Sequence, residues 1–407
     1  MPVMARQESP FFGGGCGTGG GAEKVGSVLL MGCGGWLKLM LRGARRKGQN
    51  YLWAGKQAAA LARSGRRRHE WRFTDLPMPP EHEALLILTS EQFPELRDTA
   101  CTVEPIVKGG SDRHFYRLIW PSESRAPMIL MVYTMARRDN PKFVPATRRL
   151  GRMGVHVPGI QAFDEQRLCV WLDDLGRVDL HSFRERPWST RFPLYEATLR
   201  EAAKIHAVTE DHLTRADHAE LEPEFDEALY EWEQNYFLDH YVRGFLGREF
   251  LDKEYDPAHE TLRRLRRRLA RLPRCLVHRD FQSQNVIIRG EEAWLVDYQG
   301  LRLGLGEYDL ASLLYDPYVS LTRTERNYLL NYYATHRGLN LAELREVFYL
   351  CAAQRLMQAL GAYANLSRNL GKPHFEQHIP AAVANLSEVC AEGQGLEELR
   401  LLFAGGL

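Results

Sequence analysis

Apolar and polar positions change rhythm partway along this 407-residue chain. From residue 82, EHEALLILTSEQF carries apolar positions at helical spacing, and TVEPIVKGGSDRHFYRLIW then reads as strand, glycine-containing turn and strand. MILMVYT (128 to 134) is a third apolar strand, PKFVPATRRLGRMG a helix, and IQAFDEQRLCVWLDDLG two further strands divided by Asp164 and Glu165. The pattern predicts a small five-stranded lobe over residues 82–172.

After Gly176 the apolar spacing becomes three to four residues in RFPLYEATLREAAKIHAV, PEFDEALYEWEQNYFLDHYV and HETLRRLRRRLARL. Two short β-like runs, CLVHRD with NVIIRG and then AWLVDYQG, interrupt this texture before helices resume from Asp309 to about Phe403. The expected fold class is therefore α+β, with a mainly helical second lobe over residues 173–403 and no internal repeat.

Composition adds an N-terminal exception. With 44% hydrophobic and 26% charged residues the chain is ordinary globular protein, and its net charge is only +1. Yet residues 1–72 hold 13 Lys and Arg against 3 Asp and Glu, and 15 of the 34 glycines. Such a segment cannot offset the ordering entropy of a packed core, so residues 1–75 are expected to be a disordered extension to an acidic body. Its one apolar stretch, residues 25–41, contains Lys38 and four glycines and precedes rather than follows the basic run Arg42 to Lys47, so no membrane span is expected. GCGTGGGAEKV lacks the Gly-Lys-Ser/Thr core of a phosphate-binding loop.

Seven scattered cysteines without a CxxC pair indicate neither a disulfide framework nor a zinc cluster, and a reducing cytoplasm is the expected location. The arginine-rich run at 263–274 has Leu265, Leu269 and Leu272 on one stripe, which makes its arginines a solvated face. The basic tail lacks an interleaved aromatic platform, so no specific nucleic-acid partner is expected.

The candidate chemistry lies in LVHRDFQSQNVIIRGEEAWLVDYQG, where Asp280 stands five residues before Asn285 and seventeen before Asp297. Each is a polar residue beside a short apolar strand, an arrangement that directs all three toward one cleft. Phosphoryl transfer requires a carboxylate to orient or deprotonate the acceptor hydroxyl, and oxygen ligands for the Mg²⁺ that neutralises the phosphates. Asp280 fits the first role, Asn285 and Asp297 the second, and ATP with Mg²⁺ are the implied cofactors. The HRD-x4-N spacing followed by D-x-x-G resembles the protein-kinase signature, in which His278 would support the loop backbone.

The runs HRDFQSQN and VDYQGLRLGLGEYDLASLLYDPY are similar to the aminoglycoside phosphotransferase and choline kinase superfamily. The nearest resemblance is to bacterial N-acetylmuramate/N-acetylglucosamine anomeric kinases of cell-wall recycling. It covers residues 105–320 and implies a two-lobed protein-kinase-like fold. It also implies that Asp309 in YDLASLL opens a helix and fixes the catalytic loop, and that Asp173 to Gly176 form the hinge where backbone groups receive adenine. GGSDRHFYRL resembles the family's first hairpin, with Ser111, Arg113 and Arg117 at matching positions, and Gly109, Gly110 and Ser111 would let backbone N–H groups approach the ATP phosphates.

The third strand, MILMVYTMARRD, has no lysine where kinases usually pair the α- and β-phosphates, as is also the case in that subgroup. Arg113 or Arg117 on the second strand is the expected replacement, because a guanidinium grips phosphate. The resemblance places an acceptor-binding helix at 225–242, where Glu231 and Glu233 with Trp232, Tyr236 and Phe237 suit sugar hydroxyls and ring stacking, and Glu231 is the candidate taken. The implied reaction is ATP-dependent phosphorylation of a small-molecule hydroxyl, preferably the anomeric hydroxyl of an N-acetylated amino sugar. The acidic body leaves a cationic alcohol as an alternative acceptor, and the missing lysine leaves a catalytically silent binding module.

Overall fold

The computed structural model describes residues 80–106, 113–121, 125–248 and 257–403. The N-terminal extension, its apolar stretch and the predicted phosphate-approach residues Gly109, Gly110 and Ser111 lie outside the described residues.

Helix α1 (Pro80–Gln92) leads into a five-stranded antiparallel sheet of β1 (Thr102–Ile106), β2 (His114–Ile119), β3 (Met128–Val132), β4 (Ile160–Asp164) and β5 (Cys169–Asp173), in the order β1-β2-β3-β5-β4. Side chains alternate between two faces, as a period of two requires. Leu118, Met128, Leu130, Cys169 and Trp171 pack on one face with Leu85 of α1, while Phe115, Ile129, Met131, Val170 and Leu172 join the main core on the other. A buried hydrogen bond from Trp171 Nε1 to Thr89 Oγ1 (3.1 Å) fastens α1 to the sheet. Arg117 shares the second face with Phe115, and both border the cleft between the lobes.

Helix α2 (Phe143–Arg152) carries that face onto the second lobe. Phe143 stacks on Tyr298 at 5.4 Å, and Thr147 Oγ1 lies 2.9 Å from the Tyr298 hydroxyl. The second lobe comprises α3 (Trp188–His206), α4 (Arg215–Glu220), α5 (Glu227–Phe237), α6 (Pro257–Ala270), α7 (Gly306–Leu314), α8 (Arg323–Arg337), α9 (Leu341–Arg368), α10 (Ile379–Glu392) and the short α11 (Arg400–Phe403). Among them run β6 (Cys275–Val277), β7 (Val286–Arg289), β8 (Glu292–Leu295) and β9 (Arg302–Gly304), with β6 paired to β9 and β7 to β8. β9 was not expected, since three residues are too few to show an alternation.

The 28-residue α9 runs through the second-lobe core, and its Gly361 permits close approach to α5: a Cβ there would stand 2.9 Å from the Tyr236 carbonyl oxygen. α5 continues from Leu238 to Phe245 as a π-helix that the sequence pattern did not distinguish. Leu265 and Leu269 of α6 are buried, whereas Arg266, Arg267 and Arg268 reach outward to Glu231, Glu227 and Glu346. The five cysteines among the described residues are free thiols. No described helix is long and apolar enough to cross a membrane.

Candidate active site

The segment between β6 and β7 is a polar loop whose backbone cannot pair with a sheet, so side chains from elsewhere hold it. Asp309, fully buried in the first turn of α7, accepts from the backbone N–H groups of His278 (2.7 Å) and Arg279 (2.8 Å) and lies 3.0 Å from His206 Nε2. His206 is in turn 2.7 Å from the Tyr333 hydroxyl. His278, also fully buried, places Nε2 3.1 Å from the Val296 carbonyl and so ties the loop to the residue before Asp297. Farther along, buried Asp316 accepts from both the backbone N–H (2.9 Å) and the hydroxyl (2.6 Å) of Ser283. Asp316 received no role from the sequence, although it lies in the family-like stretch LLYDPY; nothing local marks which aspartate turns back onto the loop.

Two non-glycine residues of the site have left-handed backbone, Arg279 at φ +80° and Asp297 at φ +65°. Each costs about 1–3 kcal/mol and persists only where neighbouring interactions over-determine it, a pattern concentrated at functional sites. At Arg279 the compensating contact is the Asp309 hydrogen bond.

Asp280 is partly accessible, and its Oδ2 accepts from Arg279 Nη1 at 2.6 Å. Burial by itself would raise this carboxyl, but Arg279, Arg355, the direct hydrogen bond and His278 outweigh it and hold Asp280 below the usual carboxylate range. Its other oxygen, Oδ1, has no hydrogen-bond partner among the described residues. Asn285 Nδ2 donates to the Asp280 carbonyl at 2.9 Å, fixing the amide with its oxygen available to the cleft it borders. Asp297 lines the same cleft, with Oδ1 2.9 Å from Arg113 Nη2 and a carboxylate 42% exposed.

That cleft holds about 480 Å³ and combines apolar walls from Ile106, Phe115, Ile129, Leu172 and Leu175 with a polar end at Asn285, Asp297 and Arg113. An apolar slot with a polar end suits a planar ring joined to an anionic chain. The hinge expected at Asp173 to Gly176 forms part of its wall. Asn285 and Asp297 offer two hard oxygen donors beside it, a set suited to a cation that keeps water and phosphate oxygens as its other ligands.

Two candidates stand differently from the expectation. Arg117 borders the cleft, but Nε and Nη2 bind Asp174 Oδ2 and Oδ1 (2.6 and 3.0 Å) and Nη2 also donates to the Gly176 carbonyl (2.9 Å). Its guanidinium fastens β2 to the hinge, which leaves Arg113 as the arginine beside the polar end. Glu231 is half exposed and pairs with Arg266 at 2.9 Å; the buried acid of α5 is Glu233, which accepts from the Tyr308 hydroxyl (3.0 Å) and Gln354 (3.1 Å). Of the aromatic pair, Trp232 is largely exposed and stacks on Tyr236 at 5.2 Å. The two glutamates differ only by helical phase, which the aromatic face of the helix left ambiguous.

A lobed cleft over a loop built this way defines a kinase-like phosphotransferase. The chain belongs to the phosphotransferase enzyme family (APH), whose model matches residues 102–347. It is a small-molecule kinase by that membership. Among characterised proteins it is similar to the N-acetylmuramate/N-acetylglucosamine kinases of Pseudomonas aeruginosa (28% identical over 311 residues, 74% of this chain and 88% of the relative) and Pseudomonas putida (26% over 343 residues, 80% and 97%). Among solved structures it resembles a choline/ethanolamine kinase family protein from Mesorhizobium loti (TM-score 0.53, 16% identical, covering 79% of this chain and 99% of that one). It also resembles an ethanolamine kinase from Plasmodium vivax (TM-score 0.53, 12% identical, covering 85% and 96%). At these identities the solved structures speak for the fold alone.

Proposed function

We propose that the chain transfers the terminal phosphoryl group of ATP to the anomeric hydroxyl of an N-acetylated amino sugar. The observation that carries the reading is the one loop in which Asn285 is anchored to the Asp280 carbonyl at 2.9 Å: Asn285 and Asp297 line the cleft, and Asp280, outside its wall, keeps Oδ1 unpaired among the described residues. The acceptor is read from the Pseudomonas relatives named for N-acetylmuramate and N-acetylglucosamine.

In this mechanism the apolar walls receive adenine, and Arg113 stands where the phosphate chain ends, in the role a third-strand lysine fills in other kinases. Asn285 and Asp297 would hold Mg²⁺, which would supply charge neutralisation at the phosphates. Asp280 accepts the acceptor's hydroxyl hydrogen at Oδ1 while Arg279 pins Oδ2. The hydroxyl oxygen forms the new P–O bond, the bond to the ADP oxygen breaks, and the proton passes to Asp280 and then to water. Because Arg279 keeps Asp280 acidic, its chief work is orientation, with proton transfer late.

The test is ADP release with Mg-ATP over N-acetylmuramic acid, N-acetylglucosamine, choline and an aminoglycoside. Turnover is expected with the amino sugars, and Asp280→Asn is expected to lower kcat about 10²–10⁴-fold while retaining ATP binding. Undiminished turnover in Asp280→Asn, or turnover of the cationic alcohols instead, would sink the proposal.

A further inference from the structure

Arg279, Arg302 and Arg355 all lie within electrostatic reach of Asp280. The nearby carboxylates are committed: Asp280 to Arg279, Glu222 to Arg138 and Lys142 (3.0 and 2.9 Å), and Glu233 to Tyr308 and Gln354. Burial also raises the Glu233 carboxyl, which weakens it as a counter-ion. Arg355 is buried and spends Nε on the Ser312 hydroxyl (3.0 Å) and Nη1 on Gln358 (2.7 Å).

Arg302 is different. Its Nε donates to the Gly300 carbonyl at 2.9 Å and its guanidinium lies 5.3 Å from the centre of the Phe225 ring, so the group is held in place. No carboxylate among the described residues pairs with it, and it remains partly accessible. Burial and the proximity of Arg279 disfavour its charge against the pull of Asp280, Glu222 and Glu233, each of which is bonded to another group. It is not part of the nucleotide cleft wall, which has arginines of its own at 113, 117 and 177.

We propose that Arg302 is a specificity-determining residue that receives the carboxylate of an anionic sugar acceptor on the free Nη edge of its guanidinium. The inference rests on the amino-sugar reading above and narrows it: a carboxylate-bearing amino sugar is preferred to its neutral counterpart. N-acetylmuramic acid and N-acetylglucosamine form a matched pair, since the first carries a lactyl carboxylate that the second lacks. A planar fork binds a carboxylate through two parallel hydrogen bonds.

The experiment compares kcat/KM for both sugars in the wild type and Arg302→Met, which keeps an apolar stem over Phe225. The expected loss is about 10–100-fold for N-acetylmuramic acid, carried mainly by KM, against less than about threefold for N-acetylglucosamine. Arg302→Lys should recover part of the difference. An equal loss with both sugars, or none, overturns the assignment. As a check that needs no stable variant, the methyl ester of N-acetylmuramic acid should fall to the level of the neutral sugar in the wild type; an ester as good as the acid overturns it equally. If the wild type turns over neither sugar, the function itself is misread. Calorimetry then decides the inference alone, with tighter binding of the acid supporting it and equal binding refuting it.

Discussion

The two sides of the catalytic loop are built on different electrostatic plans. On the cleft side the arginines are answered by acids: Arg113 by Asp297, Arg117 by Asp174 and Arg177 by Glu104. On the opposite side the groups belong to the second lobe, and Arg302 among them is held by the Gly300 carbonyl and the Phe225 ring with no carboxylate paired to it among the described residues. The balanced side suits a ligand common to a whole family, a nucleotide whose charge is met by exposed groups and metal. On the proposal above, the side of the unpaired Arg302 takes its charge from the acceptor, and selectivity among acceptors resides there.

The most severe way to break this comparison is to remove what both sides share. Asp309→Ala leaves two buried loop N–H groups and His206 without their acceptor, and should cost about 3–5 kcal/mol of stability in chemical denaturation while impairing nucleotide and acceptor use together. A cost under about 1 kcal/mol would mean that the loop is held otherwise. Next, Asp297→Ala should lower kcat/KM for ATP about 10²–10³-fold with little change in acceptor KM. Equal effects on both substrates would erase the division between the sides.

A sharper test uses pH. Arg279 holds the Asp280 carboxyl low against burial, so in the wild type Asp280 stays ionised, and kcat/KM stays flat, until pH falls below the usual carboxylate range. Arg279→Met removes the largest opposing charge and its hydrogen bond, leaving Arg355 and His278 against burial; the carboxyl then rises, and the acid limb of the pH profile should move toward neutrality. An unmoved limb would separate Asp280 from the titration. The smallest effect is expected at Glu231→Gln: its pair with Arg266 is half exposed, worth under about 1 kcal/mol, and turnover of the amino sugars should not change.

Much of this was legible beforehand. The five-stranded lobe, the helical lobe and the order Asp280, Asn285, Asp297 follow from periodicity and spacing, because strand alternation and loop length are local properties of the chain. What the sequence left open is equally physical. Glu231 and Glu233 differ by a rotation about one helix, and only packing against Tyr308 and Gln354 settles that Glu233 is the buried one. Arg117 looked available for phosphate because its partner Asp174 lies 57 residues away, and Arg302 carried no signal because β9 is three residues long.

By itself, then, the sequence determined the class of fold and the order of the residues proposed to handle a phosphoryl group, since these are written in hydrophobic period and in short-range spacing. Tertiary structure alone decided which charges are neutralised and which are left seeking a partner. Asp297 meets Arg113 across 184 residues of chain, and the cost of an unanswered cation depends on water excluded by neighbours that no local window contains.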